Sequence, residues 1–292
     1  MACDPTDAAL ELEYNLRTRH PEREAVYRAF AARSSEYRSL HPAHLDLRYA
    51  EADRCLVDVF LPDSDAATSF SVGPMAGARP LFVFLHGGYW RALDKSLFSF
   101  IAKPFVERGV CVAMPTYGLA PAFTLSEIVD QVEQAMRWLS AGAGSFGWDR
   151  ERVVLCGHSA GGHLAAMMAA CDAQKIGGLG IRGASVISGL FDLEPLLHTN
   201  VNRDVHMSEA EAREQSPIHR SSFAARHFLV TAGALETGGF VEQSRRFDHH
   251  LREVGRSSEF LLIENRTHFD ILEDLADPLQ PLHRRTLEML FA

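Results

Sequence analysis

The sequence lacks the features that define several large classes of protein. It contains no uninterrupted apolar run of about 18 residues, the length that a membrane-spanning helix needs, so we expect no membrane partner. Positive charge is in the minority, because 29 lysines and arginines stand against 38 acidic residues and the net charge is −9. Phosphate binding needs clustered positive charge, so we expect no nucleic-acid partner.

Cysteine is scarce, and its five residues are widely separated: Cys3, Cys55, Cys111, Cys156 and Cys171. Three of them lie inside apolar runs, where a free thiol behaves as a small core side chain. No pair shows the close spacing of a zinc site or a redox motif. The N-terminal residues are charged and lack the apolar segment of a secretion signal. These absences predict reduced thiols, no metal and a cytoplasmic location.

From residue 79 onward, short apolar runs alternate with segments of helical length. Strand-like runs cover residues 81–85, 110–114, 153–156, 184–187, 228–230 and 260–263, and two earlier ones cover residues 44–49 and 55–61. Helices are predicted over residues 124–139, where Thr124 is a good N-cap, over 160–171 and over 240–254. Continuous apolar strands alternating with helices predict an α/β fold with a mostly parallel central sheet and helices on both faces.

We expect one domain over residues 1–292. Residues 1–40 predict an N-terminal helical extension with a break near His20 and Pro21. Residues 63–79 are small and polar and predict a surface loop. Residues 194–222 lack a strand pattern and are rich in polar side chains, so we expect a cap-like insertion over the carboxyl edge of the sheet, where α/β sheets bind ligands.

The sequence GHSAG at residues 157–161 fits the pattern G-x-S-x-G. It follows an apolar strand and precedes a helical run, which is the context of a nucleophile on a tight strand-to-helix turn. Ser159 is therefore the predicted nucleophile. About seventy residues earlier, HGGYW at residues 86–90 follows another predicted strand. We expect the backbone N–H groups of Gly87 and Gly88, with that of Ala160, to form an oxyanion hole.

A serine hydroxyl near neutral pH needs a base and an orienting carboxylate. His268 follows the last predicted strand and is the predicted base, because His20 and His41 precede the sheet and His249, His250 and His283 lie in helical patterns. Glu236 follows the preceding strand and is the predicted acid. Asp192, which follows the strand before that, is the alternative acid.

A second glycine pattern, G-x-G-x-x-G at residues 178–183, precedes a strand instead of following one. A dinucleotide-binding loop must follow a strand and open a helix, so this pattern does not predict a nucleotide site. No HExxH or other metal-ligand spacing is present. We expect no metal and no organic cofactor.

Several motifs together resemble one family: HGGYW at 86–90, YGLAP at 117–121, GHSAGGHLAA at 157–166, SGLFDLEPL at 188–196 and HFDILEDL at 268–275. The chain resembles α/β-hydrolases of the hormone-sensitive-lipase-like branch, and within it the kynurenine formamidase group. The resemblance implies the α/β-hydrolase fold, Ser159 as nucleophile, His268 as base and residue 236 as acid. One departure is that residue 236 is Glu, where Asp is the more common acid. A homodimer is expected only from this resemblance.

Three functions compete. The first is hydrolysis of an aryl formamide such as N-formylkynurenine, with Tyr89, Trp90 and Phe191 as candidate walls for the aryl group. The second is hydrolysis of short-chain acyl esters by the same triad. The third is a non-catalytic binding protein on a hydrolase fold, which an intact set of Ser, His and acid disfavours.

Overall fold

A computed structural model describes residues 7–63 and 78–292. Most of the predicted loop at 63–79 lies outside the described residues, as does Cys3. The described chain forms a sheet of eight strands: β1 (Ala43–Arg48), β2 (Leu56–Phe60), β3 (Arg79–Leu85), β4 (Cys111–Pro115), β5 (Trp148–His158), β6 (Ile181–Ile187), β7 (His227–Gly233) and β8 (Ser257–Ile263).

The strands lie side by side in the order β1-β2-β4-β3-β5-β6-β7-β8. Every neighbouring pair from β4 to β8 is parallel, and β2 is antiparallel to both β1 and β4. The mostly parallel sheet that the sequence predicted is therefore confirmed. The carboxyl ends of β3, β5, β6 and β7 lie next to one another, so the loops that follow them meet at one edge.

Helices pack on both faces of the sheet. They are α1 (Ala8–Tyr14), α2 (Leu16–Arg19), α3 (Arg23–Leu40), α4 (Ala102–Val106), α5 (Leu125–Phe146), α6 (Ala160–Ala170), α7 (Asn202–Val205), α8 (Glu209–Glu214), α9 (Gly238–Glu253), α10 (Leu272–Ala276) and α11 (Pro281–Phe291). Short 3₁₀ helices cover Lys95–Ile101, Glu194–His198 and Pro217–His219. No described helix is both long and apolar enough to cross a membrane.

Strand β3 shows why the central strands read as continuous apolar runs. Leu81, Val83 and Leu85 belong to the core beneath α5, α6 and α9, while Phe82 and Phe84 belong to the core beneath α4, α10 and α11. Successive side chains point to opposite faces, and both faces are covered by helices. Every position along the strand therefore has to be apolar, and not only every second one.

Helix α5 is longer than the sequence predicted. Helix α5 begins at the predicted cap, Thr124, which forms a capping box with Glu127, but it continues to Phe146 and ends at Gly147 in a left-handed conformation. Residues 141–145, AGAGS, contain two glycines and a serine, which have a low helix propensity. The Phe146 ring stacks on Trp148 at 5.0 Å, and this packing stabilises the last turn in spite of its low helix propensity.

Residues 194–222 contain no strand, as expected. They form the 3₁₀ helices at Glu194–His198 and Pro217–His219 together with α7 and α8. The segment packs against the N-terminal extension, because Glu11 accepts hydrogen bonds from the backbone and the side chain of Asn200, at 2.8 and 2.6 Å. These hydrogen bonds hold the N-terminal helix α1 against the insertion.

Candidate active site

Ser159 lies on the turn between β5 and α6. Its backbone has φ 58° and ψ −123°, in a region that side chains other than glycine rarely adopt, and its N–H donates to the carbonyl of Ile187 at 2.9 Å. A Cβ at Gly157 would lie only 2.0 Å from the carbonyl oxygen of Gly161, so glycine is required there. Strain of this kind, held by surrounding contacts, is typical of a nucleophile lifted clear of the backbone.

A cavity of about 350 Å³ opens over this turn. Its lining includes Ser159, His268, Gly87, Gly88 and Tyr89, so residues that the sequence predicted from three separate loops meet at one place. Ser159 Oγ makes no hydrogen bond to any described residue. In structures without substrate, the hydrogen bond between nucleophile and base is often long and forms only in the reacting complex.

His268 and Glu236 form a buried pair. His268 Nδ1 lies 2.8 Å from Glu236 Oε2, and both side chains are almost fully excluded from solvent. Asp192, the alternative acid, instead pairs with Arg246 at 3.2 Å. The structure therefore brings Glu236 and not Asp192 onto the ring of His268.

The second carboxylate oxygen of Glu236 is also held. Oε1 accepts hydrogen bonds from Ser188 Oγ at 2.5 Å and from the Gly233 N–H at 2.7 Å. Charge-assisted hydrogen bonds of this kind are stronger than neutral ones. Two donors on Oε1 leave Oε2 to face the imidazole.

The loop after β3 is held by contacts of His86 and brings Gly87 and Gly88 to the cavity. The His86 ring stacks on Tyr117 at 4.4 Å and bonds to the hydroxyl of Thr116 at 2.9 Å, and burial lowers the pKa of His86 to about 4. His86 thus orders the loop as a neutral side chain. Within residues 7–63 and 78–292, the amides of Gly87, Gly88 and Ala160 donate no hydrogen bond to another residue, and Gly87 and Gly88 line the cavity.

His158 was not predicted as a functional residue, although it is the second residue of the GHSAG motif. Its Nε2 donates to the carbonyl oxygen of His268 at 2.8 Å, and the two rings lie 4.6 Å apart. Burial, and secondly the nearby His268, hold the pKa of His158 well below its usual value. A neutral His158 links the nucleophile turn directly to the loop of His268.

Only one of the three predicted aromatic wall residues lines the described cavity, and the other two predictions need correction. Tyr89 lies in the wall and donates to the carbonyl of Tyr14 at 2.6 Å. Trp90 is fully buried and donates to His163 at 3.2 Å, while Phe191 is fully buried and stacks on Phe247 at 4.1 Å. Both are large apolar side chains that pack in the hydrophobic core and do not line the described cavity.

The N-terminal extension supplies a wall of the cavity that sequence reasoning missed. Aromatic lining comes from Tyr14, Tyr27, Phe30, Tyr89, Phe98 and Phe269, and charged lining comes from Arg17, Arg23, Glu24 and Arg91. From residues 194–222, only Val201 lies among the described lining residues. The extension, more than the insertion, borders the site.

In the part of the chain that the structure describes, no cluster of three or more His, Cys, Asp or Glu side chains is placed to hold a metal ion. The chemistry available from the residues themselves is nucleophilic. A strained serine, a histidine paired with a buried carboxylate, and the two glycines of the loop after β3 lie at one cavity, which is the kind of arrangement that acyl transfer requires.

Comparison with known proteins gives consistent matches. Residues 73–211 match the family model BD-FAE. Kynurenine formamidase of Danio rerio is 31% identical over 96% of this chain and 95% of its own length. An isoprenylcysteine alpha-carbonyl methylesterase of Arabidopsis thaliana is 25% identical over 80% of this chain and 57% of its own. A crystal structure from Silicibacter sp. TM1040, provisionally assigned as a thioesterase, is 32% identical and superposes with a TM-score of 0.81 over 97% of this chain and 99% of that one.

Proposed function

Because the chain belongs to the α/β-hydrolase family that includes the kynurenine formamidases, we propose that it hydrolyses an aryl formamide of the N-formylkynurenine type with Ser159 as nucleophile. The observation that carries the proposal is the buried pair of His268 and Glu236, 2.8 Å apart, at the cavity that also contains Ser159. A histidine held by a carboxylate at the edge of such a cavity is the base that a serine nucleophile needs.

In the proposed reaction, Ser159 Oγ attacks the formyl carbon and its proton passes to Nε2 of His268. Glu236 accepts from Nδ1–H, keeps the ring oriented and stabilises its charged form. The negative charge on the carbonyl oxygen is met by the N–H groups of Gly87, Gly88 and Ala160, each contributing roughly 3 kcal/mol. His268 then gives the proton to the departing arylamine nitrogen. Water, activated by the same histidine, attacks the formyl-serine and releases formate.

The cavity lining supports an aromatic and anionic substrate. Six aromatic rings border the space and can pack against an aryl leaving group. Arg17, Arg23 and Arg91 lie in the lining of a chain whose net charge is −9, with Arg23 paired with Glu24 and Arg91 paired with Asp204. N-formylkynurenine combines a formylated arylamine with an amino-acid carboxylate, so it meets both features.

A short-chain ester is the second candidate substrate. The plant relative is a methylesterase, and the Silicibacter structure is assigned as a thioesterase, so related chains are associated with oxygen and sulfur leaving groups. The same three residues would serve each reaction, and only the fit of the leaving group would differ.

The experiment is a side-by-side measurement of kcat/KM on N-formylkynurenine, p-nitrophenyl acetate and an acetyl thioester. We expect a preference for the formamide of about 100-fold or more, which corresponds to about 2.7 kcal/mol in the transition state. Ser159→Ala should lower kcat by at least about 10⁴-fold, and the exposed Ser39→Ala should leave it unchanged. Ester or thioester turnover without deformylation contradicts the formamide proposal, and no turnover of any substrate by the wild type supports a non-catalytic role.

A further inference from the structure

Ser188 lies immediately after β6, one residue beyond the strand that neighbours the nucleophile turn. It is fully buried, and its hydroxyl bonds to Glu236. We infer that Ser188 is a positioning residue: it holds the carboxylate of Glu236 in the orientation that the base needs. This inference rests on the proposed hydrolase function, and it adds a fourth side chain to the triad.

The hydrogen bonds divide the two carboxylate oxygens between two tasks. Oε1 receives Ser188 Oγ at 2.5 Å and the Gly233 N–H at 2.7 Å, while Oε2 faces Nδ1 of His268 at 2.8 Å. Because Ser188 has a rotatable O–H and the carboxylate has no proton to give, the serine must be the donor. Its removal takes one of two donors from Oε1 in a buried site, where no described residue replaces it.

The backbone around Ser188 connects the acid with the nucleophile. The carbonyl of Ile187 accepts the N–H of Ser159 at 2.9 Å, and the N–H of Ser188 donates to the carbonyl of Thr231 at 2.7 Å. Two consecutive residues therefore hold the nucleophile turn through the backbone and the acid through a side chain. A shift at Ser188 would change the distance between the two catalytic groups.

The requirement for such a residue follows from the length of the acid. A glutamate has one more rotatable bond than an aspartate, so it loses more conformational freedom when it is held in one position. Donors on Oε1 select one rotamer before substrate binds, which is the preorganisation that a catalytic group needs. Ser188 thus explains how Glu236 performs the task that an aspartate more often performs in this family.

Backbone conformation offers a different explanation, and it can be separated by experiment. Ser188 has φ 49°, in the left-handed region that glycine adopts without strain. Ser188→Ala removes the hydroxyl and retains the strain, whereas Ser188→Gly removes the hydroxyl and relieves it. If the hydroxyl matters, both variants lose activity to a similar degree. If only the conformation matters, the glycine variant keeps wild-type activity.

The test measures kcat and KM of the full-length protein on the best substrate, together with the rate at which a fluorophosphonate probe labels Ser159. We expect Ser188→Ala and Ser188→Gly to lower kcat and the labelling rate by about 10-fold or more, with KM within about twofold of wild type. The matched control is Ser185→Ala, a buried serine in β6 whose hydroxyl bonds to Thr286 away from the cavity, and it should keep wild-type kcat.

A double-mutant cycle with Glu236→Gln shows whether Ser188 acts through the acid. In the Glu236→Gln background, Ser188→Ala should change kcat by less than about twofold, because the group that it orients is already disabled. A full and additive loss in that background overturns the inference. Wild-type kcat in both Ser188 variants overturns the inference about Ser188. The proposed hydrolase function then still stands, since the wild type remains active and is labelled by the probe. A wild type that is neither active nor labelled overturns the proposed function, and the inference with it.

Discussion

His158 Nε2 donates a hydrogen bond to the carbonyl oxygen of His268 over 2.8 Å. The residue before the proposed nucleophile thus holds the backbone of the proposed base, although 110 positions separate them in the chain. Both residues line the cavity, and both are almost fully buried. The geometry of nucleophile and base therefore depends on a side chain outside the triad.

Replacing His158 tests this link. His158→Leu leaves the carbonyl of His268 buried without a donor, which costs about 1–3 kcal/mol of unfolding free energy and should lower kcat by at least about 10-fold. His158→Gln retains an N–H donor and should keep more of the unfolding free energy and more of kcat than the leucine variant does. Urea unfolding and kcat measured on the same samples check the prediction, and equal kcat in the leucine variant and the wild type would contradict it.

Gly88 in the loop after β3 should not tolerate a side chain. Its φ is +115°, and a Cβ would lie 2.1 Å from the carbonyl oxygen of Ala92, so Gly88→Ala must move the loop that carries the proposed oxyanion amides. We expect a loss of about 1–3 kcal/mol in unfolding free energy and a lower kcat.

The control is Gly144→Ala in the exposed part of α5, where a Cβ meets no atom within 4 Å. Alanine is the better helix former, so this variant should gain about 0.5–1 kcal/mol and keep wild-type kcat. Thermal unfolding and kcat measured for both variants provide the comparison. A Gly88→Ala protein with wild-type kcat would show that the loop amides do not act in the reaction.

Stability should fall in mildly acidic solution because buried histidines, among them His86 and His163, stay neutral in the folded protein. Burial lowers the pKa of His86 to about 4 and the pKa of His163 to about 4, from about 6.5 in an unfolded chain. Below pH 6.5 the unfolded chain binds protons that the native protein does not bind. The free energy of unfolding therefore falls as the pH drops from about 6.5 toward 4, by up to about 1.4 kcal/mol per pH unit for each histidine. Above about pH 6.5 both states are neutral at these histidines, and this loss of stability is absent.

Urea unfolding at pH 7, 6 and 5 measures this dependence. His163 Nδ1 accepts from Trp90 and its Nε2 donates to the carbonyl of Gln215 at 2.7 Å, so His163→Gln removes a titrating group and should flatten the pH dependence. The exposed His249→Gln on α9 should leave it unchanged. A pH dependence of His163→Gln as steep as that of the wild type would count against this explanation.

The order of the strands along the chain could be read from the sequence because a parallel sheet covered on both faces needs continuous apolar strands. The run at 81–85 is β3, and its five residues divide between two cores. The resemblance to the kynurenine formamidase group was also available from motifs and is confirmed by a relative at 31% identity. Each of these features depends on residues that are close together in sequence.

The sequence by itself determined the fold class, the strained serine turn and the loops in which a base and an acid could lie, because these depend on local spacing. Only the tertiary structure decided which acid meets His268, that Trp90 and Phe191 belong to the core, and that the N-terminal helices border the cavity. Ser188 and Glu236 are 48 residues apart, and their hydrogen bond exists only because β6 and β7 pair side by side. A contact of that kind arises from the packing of distant segments, and no local pattern encodes it.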